Sequence, residues 1–123
     1  MTNTTNTTPA PAPAPAPGPG PESQADPAGL LDVVVIGAGV TGIYQLYLAR
    51  QAGLAAKLLE AGSGVGGVWY WNRYPQARFD SESYTYGYLF SEELWQEWEW
   101  SEQYAGQPEI ERYFNHVVDR FGL

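Results

Sequence analysis

Cysteine is absent from the 123 residues, and bases are scarce: six Lys and Arg stand against fourteen Asp and Glu. Without cysteine there is neither a disulfide nor a thiolate metal site. Between Asp80 and Glu111 there are nine acids and no base. That balance excludes the clustered positive charge by which proteins hold nucleic acid or an anionic membrane. No apolar run approaches the roughly 18 residues that suggest a membrane span. The N-terminus has neither the basic start nor the apolar centre of a signal peptide. These absences fit a cytoplasmic protein.

The first 29 residues lack aromatics and lack Val, Ile, Leu and Phe, yet hold eight of the ten prolines. Such a stretch cannot bury enough apolar surface to offset the entropy of ordering it. Residues 1–29 are expected to form a disordered tail. It begins with a Thr/Asn tract and continues as an extended Pro/Ala-rich segment from Pro9 to Pro21. Its simplest role is a solubilising leader; the alternative is a ligand for an aromatic groove. The chain from Leu30 to Leu123 is left to form a core, enough for one domain.

Its pattern is α/β. Leu31–Ile36 is a short β-branched apolar run ending at Gly37, which predicts a buried parallel strand. Val40–Ala52 predicts a helix with Ile43, Leu46 and Tyr47 on one face, closed by Gly53. Ala55–Glu60 predicts a second strand, which completes a βαβ unit. Thirteen aromatics follow between Trp69 and Tyr104, and packing is expected to account for more than half of them. Ser91 reads as a helix cap with Glu92 and Glu93 in the first turn. Pro108 and Glu109 open a last helix. Ile110, Tyr113, Phe114, Val117, Val118 and Phe121 share its buried face, and Gly122 closes it.

Gly37-Ala38-Gly39-Val40-Thr41-Gly42 is a G-x-G-x-x-G sequence set between a strand and a helix. Glu60 ends the next strand, 18 residues beyond Gly42. That context is the signature of dinucleotide binding. Gly37 allows the tight turn, Gly39 lets a pyrophosphate approach the backbone, and Gly42 lets helix and strand pack closely. Phosphates are then held by free N–H groups at the positive end of the helix dipole. Glu60 is expected to accept hydrogen bonds from a ribose and to repel a 2′-phosphate. The fingerprint does not by itself choose between NAD and FAD. A second glycine turn at Gly66-Gly67, followed by Val68-Trp69, suits a long cofactor such as FAD.

The run Gly66-Gly67-Val68-Trp69-Tyr70-Trp71-Asn72-Arg73-Tyr74-Pro75, then Ala77-Arg78-Phe79-Asp80-Ser81-Glu82-Ser83, carries a family resemblance. With it, Asp32–Leu123 resembles the N-terminal FAD-binding region of Baeyer–Villiger monooxygenases of the phenylacetone and cyclohexanone type. The resemblance implies a partial Rossmann-type FAD-binding domain over residues 30–123, truncated relative to the family and inactive alone. It implies FAD as cofactor, with NADPH in the complete enzyme. The reaction there uses oxygen to convert a ketone into an ester or lactone. Cofactor-binding positions implied by fingerprint and resemblance together are Gly37, Gly39, Val40, Gly42, Glu60, Gly67, Val68, Trp69, Tyr70, Trp71, Arg78, Asp80 and Tyr86. Asp80 is also the implied catalytic position, orienting a cation supplied by a part of the enzyme absent from this chain.

Two residues depart from the family pattern. Gln76 stands where glycine is usual, and Phe79 where small residues or cysteine are common. Read without the resemblance, Asp80 is a turn or helix cap. Arg73 and Arg78 are candidate cations. His116, the single histidine, is expected to face solvent. Glu92, Glu93, Glu97, Glu99 and Glu102 are expected to form a solvated face and not a metal site. Two alternatives stand beside the ketone-oxidising reading: a piece of an N-hydroxylating or other flavin monooxygenase, and a non-catalytic nucleotide-binding module.

Overall fold

The computed structural model describes residues 29–123, so the tail expected at the N-terminus lies outside it except for Gly29. The chain runs β1 (Val33–Ile36), α1 (Val40–Gln51), β2 (Ala56–Leu59), α2 (Val68–Trp71), α3 (Ser83–Tyr86), α4 (Glu92–Glu97) and α5 (Gln107–Phe121). The βαβ unit is present. β1 and β2 pair in parallel, Val33 opposite Ala56 through Ile36 opposite Leu59. Both strands are shorter than their apolar runs. Asp32 makes the break: its N–H donates to the Ala55 carbonyl at 2.8 Å. Its carboxylate accepts from the Ala55 N–H at 2.8 Å. Leu30 and Leu31, which precede it, are exposed.

α1 turns Ile43, Leu46 and Ala49 inward. Gly53 follows in the left-handed region at φ 72°, where glycine ends a helix without strain. α5 packs against both α1 and α2. Its apolar period survives in the fold: Ile110, Tyr113, Phe114 and Val117 are buried, while Val118 and Phe121 flank them. Gly122, at φ 61°, caps the end. Around this face gather Ile43, Phe79, Leu94 and Ala105, with seven of the thirteen aromatics between Trp69 and Tyr104 inside or against the cluster. Their rings meet edge-on or tilted, as Trp98 does on Tyr113 at 5.3 Å and Phe79 on Tyr86 at 4.1 Å. These arrangements suit aromatic quadrupoles.

Among the described residues, Ser83, Gln107 and Glu109 are buried polar residues, and each is hydrogen-bonded. The Ser83 hydroxyl donates to the Glu102 carbonyl at 2.8 Å and accepts from the Ala105 N–H at 2.8 Å. Glu109, in the first turn of α5, accepts from the Ser101 N–H and hydroxyl at 2.9 and 2.7 Å. Gln107 donates to the Trp69 carbonyl and to Glu111, which ties α2 to α5. Ser91 caps α4 as expected, accepting from the Leu94 N–H at 3.2 Å.

His116 differs from expectation. It is half-buried, 5.4 Å from the Trp98 ring, with Nε2 3.7 Å from a Glu97 oxygen. Asn115 before it is exposed, but Trp98 packs beside the His116 ring, whose Nε2 is enclosed. Among the described residues, no helix is long and apolar enough to cross a membrane.

Candidate functional site

The site begins where β1 ends. The Gly37 N–H extends the ladder to the Leu59 carbonyl at 2.8 Å. The backbone then turns at φ 93°, a conformation that suits glycine. Gly39 is the N-cap of α1 and no side chain caps that helix. The amides of its first turn therefore lack an intrahelical acceptor and carry the positive end of the dipole. Gly42 is required by contact: a Cβ there would come 1.9 Å from the Gly37 carbonyl oxygen.

The second glycine turn packs directly on the first. The Gly66 N–H donates to the Ala38 carbonyl at 2.8 Å. Gly67 lies at φ 57°, and a Cβ on it would stand 2.8 Å from the Gly39 Cα. Two backbones thus meet with no room for a side chain. Between them opens a groove of about 290 Å³, lined by Gly37, Gly39, Val40, Gly42, Gly67 and Trp69, with Val68 and Tyr86 at its side. Trp69 and Tyr86 hold each other through an indole N–H donated to the tyrosine hydroxyl at 2.9 Å.

Glu60 does not line this groove but is tied to the glycine turn beside it. One carboxylate oxygen accepts from the Ala38 N–H at 2.6 Å, and the other from the Gly62 N–H at 2.8 Å. Those two backbone bonds hold its carboxyl below the usual carboxylate range, the Ala38 bond contributing most. The pattern anticipated an acceptor for ribose. The geometry adds that Glu60 also fixes the glycine turn in place. Each oxygen keeps a lone pair, so accepting from a ribose hydroxyl is still possible.

Besides Glu60, four further expected positions lie outside this groove. Tyr70 turns away and bonds the Ser63 hydroxyl at 2.7 Å; its ring fills the space beside Gly62 and Gly64. Trp71 stacks edge-on against Tyr70 and is 60 % exposed. α2 explains both, because a single helical turn cannot point four consecutive side chains one way. Arg78 is exposed and donates to Glu102 at 3.0 Å and to the Tyr104 carbonyl at 2.8 Å. Asp80 is exposed, and its carboxylate makes no hydrogen bond among the described residues. Nor is Asp80 a helix cap: Glu82 holds the N-cap position of α3. Arg73 pairs with Glu111. Gln76 sits at φ 66°, the left-handed backbone that a glycine would adopt freely. Phe79 is buried against Trp69 and Tyr86. Sequence reasoning missed Ala38, whose N–H and C=O clamp the site from both sides; its only signal was its place between two fingerprint glycines.

Residues 35–98 match the family model described as an NAD(P)-binding Rossmann-like domain. The chain belongs to that family. Within it, the chain is 60% identical over 89 residues to 2-oxo-Δ3-4,5,5-trimethylcyclopentenylacetyl-CoA monooxygenase of Pseudomonas putida, covering 72% of this chain and 16% of that one. It is 55% identical over 93 residues to acetone monooxygenase (methyl acetate-forming) of Gordonia sp. strain TY-5, covering 76% and 17%. Phenazine N-monooxygenase PhzNO1 of Lysobacter antibioticus is 48% identical over 93 residues, covering 75% and 17%. Among solved structures, an oxidized steroid monooxygenase bound to NADP superposes at TM-score 0.75 and 61% identity, covering 76% and 18%. OTEMO in complex with FAD and NADP superposes at TM-score 0.70 and 58% identity, covering 75% and 17%. The resemblance of this Rossmann-like segment to Baeyer–Villiger monooxygenases therefore holds. The chain spans about one sixth of the length of the curated relatives it matches.

The residues present fit part of a dinucleotide. Both glycine turns are places where a Cβ would fill the cradle. The groove is small beside the ~300–1,000 Å³ usual for ligand sites. It suits a pyrophosphate and the adjoining ribose, with the rest of a long cofactor extending beyond it.

Proposed function

We propose that this chain is the FAD-binding N-terminal portion of an NADPH- and oxygen-dependent monooxygenase that converts ketones into esters or lactones. The observation that carries the reading is the close approach of Gly67 to Gly39, with Glu60 pinning Ala38 between them. That arrangement offers bare backbone to a pyrophosphate and a carboxylate to a ribose. Gly37, Gly39, Val40 and Gly42 would hold the phosphates, and Val68, Trp69 and Tyr86 would shield the side of the groove from water. FAD, when bound, supplies the redox chemistry. Tyr70 and Trp71 reach it only through the shape they give α2. Asp80 remains the proposed orienting acid, its exposed carboxylate free to meet a cation from a further part of the enzyme. Arg78 borders the same segment.

Support for the ketone class comes from the related acetone and cyclopentenylacetyl-CoA monooxygenases. The phenazine N-monooxygenase favours N-oxidation as a second reading. The test is direct. The complete gene product, loaded with FAD, is given NADPH and oxygen with a panel of ketones and of aromatic N-heterocycles, and products are identified by mass spectrometry. Ester or lactone is the expected product. N-oxide formation without ester would replace the first reading by the second. The 123-residue chain alone is expected to show no ketone-dependent NADPH oxidation, and turnover by it would refute the claim that it is only a portion.

A further inference from the structure

A second cleft, of about 700 Å³, shares no residue with the glycine groove. Its walls include Tyr84, Trp95, Trp98 and Trp100, with Glu99 and Glu102 among them, and neither Lys, Arg nor His lines it. Trp98 and Trp100 meet edge-to-face with centroids 5.7 Å apart, so their faces form two sides of a corner. Trp95 and Tyr84 are 44 and 52 % exposed, a large aromatic surface to leave toward water. Glu102 already shares its charge with Arg78 at the rim. Glu99 makes no hydrogen bond or ion pair among the described residues.

Aromatic faces are the negative part of a quadrupole, and with an unshared carboxylate they attract a cation. The nature of that cation follows from hydration. A primary ammonium is a compact, strongly hydrated charge, and an aromatic wall returns little of the hydration it would lose. An alkylated ammonium is weakly hydrated and presents methyl groups to the rings. We propose that this cleft binds a small organic cation with a quaternary ammonium head, held by Trp95, Trp98, Trp100 and Tyr84 and neutralised by Glu99. The proposal is independent of the dinucleotide groove.

The test is an NMR titration of the complete gene product with choline, reading the indole N–H signals of Trp69, Trp71, Trp95, Trp98 and Trp100, each assigned by a single Trp→Phe change. Choline is expected to shift the signals of Trp95, Trp98 and Trp100 and to leave those of Trp69 and Trp71 in place. The neutral tert-butyl isostere of choline has the same shape without charge. It is expected to bind roughly three- to thirtyfold more weakly, the range of a cation–π contribution. Glu99→Gln, which keeps the shape of the wall, is expected to weaken choline and leave the isostere unchanged. Equal binding of choline and isostere would reduce the cleft to an apolar dent and overturn the proposal. So would the absence of any choline-dependent shift, or a shift confined to Trp69 and Trp71.

Discussion

At the scale of single residues, the site is a set of places where an atom more or less decides the outcome. Gly42→Ala would put a methyl 1.9 Å from the Gly37 carbonyl oxygen, and backbone cannot move aside as a side chain can. The expected cost is about 1–3 kcal/mol, the usual range for overpacking, seen as a lower urea midpoint with an unchanged slope. Gly67→Ala adds strain at φ 57° to a 2.8 Å approach to the Gly39 Cα. It should lower FAD affinity as well as stability, which equilibrium dialysis of the complete gene product would measure. Glu60 yields a pH prediction. Its folded value lies below the ordinary 4.5, so its stabilising bonds are fully present above about pH 4.5. They are lost as pH falls through the folded value, because protonation is easier in the unfolded chain. Glu60→Gln replaces one accepting oxygen by an amide that faces backbone donors. The melting temperature should then fall at pH 7 but depend less steeply on pH below 4.5. Some acid dependence should persist, because Glu82 and Glu93 are also held low, Glu82 by Tyr84 and Glu93 first by its own backbone N–H. An acid limb of unchanged slope in the variant would contradict the assignment. The glycines and Glu60 were legible because each spacing has one physical task. Asp80 and Arg78 were not placed by spacing, since which way an exposed loop residue points depends on partners remote in sequence.

At the scale of elements, period and punctuation carried most of the information. α5 could be written down with its buried face and closing glycine because an apolar stripe at helical spacing has little else to do. Phe114 is fully buried at its centre, and Phe114→Ala should cost about 3–5 kcal/mol. Phe121→Ala, at the half-buried end, should cost visibly less by the same urea titration. The Ser91 cap is a weaker anchor. Ser91→Ala should cost about 1 kcal/mol, and it should be rescued by Asp at the same position. β1 is shorter than its apolar run because that run begins at Leu31, whereas the ladder begins at Val33. α2 and α3 had no period to reveal them, being single turns. The buried Ser83, Gln107 and Glu109 were invisible for a related reason. Polar residues become structural only when distant backbone groups, such as the Ala105 N–H and the Trp69 carbonyl, arrive opposite them.

At the scale of the whole molecule, the two-stranded sheet is covered unequally. Val35 faces α1 and is buried, while Val34, Ile36 and Leu59 alternate to the other side and are exposed, Ile36 by 77 %. Parallel sheets are normally covered on both faces, and a bare one offers apolar surface and unpaired strand edges together. In relatives roughly six times longer, there is ample chain to cover such a face. The 123-residue chain studied alone should therefore bind a hydrophobic dye such as ANS at pH 7 and sediment with a mass that grows with concentration. Both effects have one source if the sheet face is responsible, and a double change separates that source from general unfolding. Ile36→Thr with Leu59→Thr puts a β-branched residue at both exposed strand positions and removes apolar surface from that face. The double variant should lose most of its dye binding and sediment as a monomer, with far-ultraviolet circular dichroism unchanged. Association that persists in the variant would shift the responsibility to the other exposed apolar residues, Leu89 first among them. Association that disappears together with the helical signal would mean that the two side chains support the fold, contrary to their exposure.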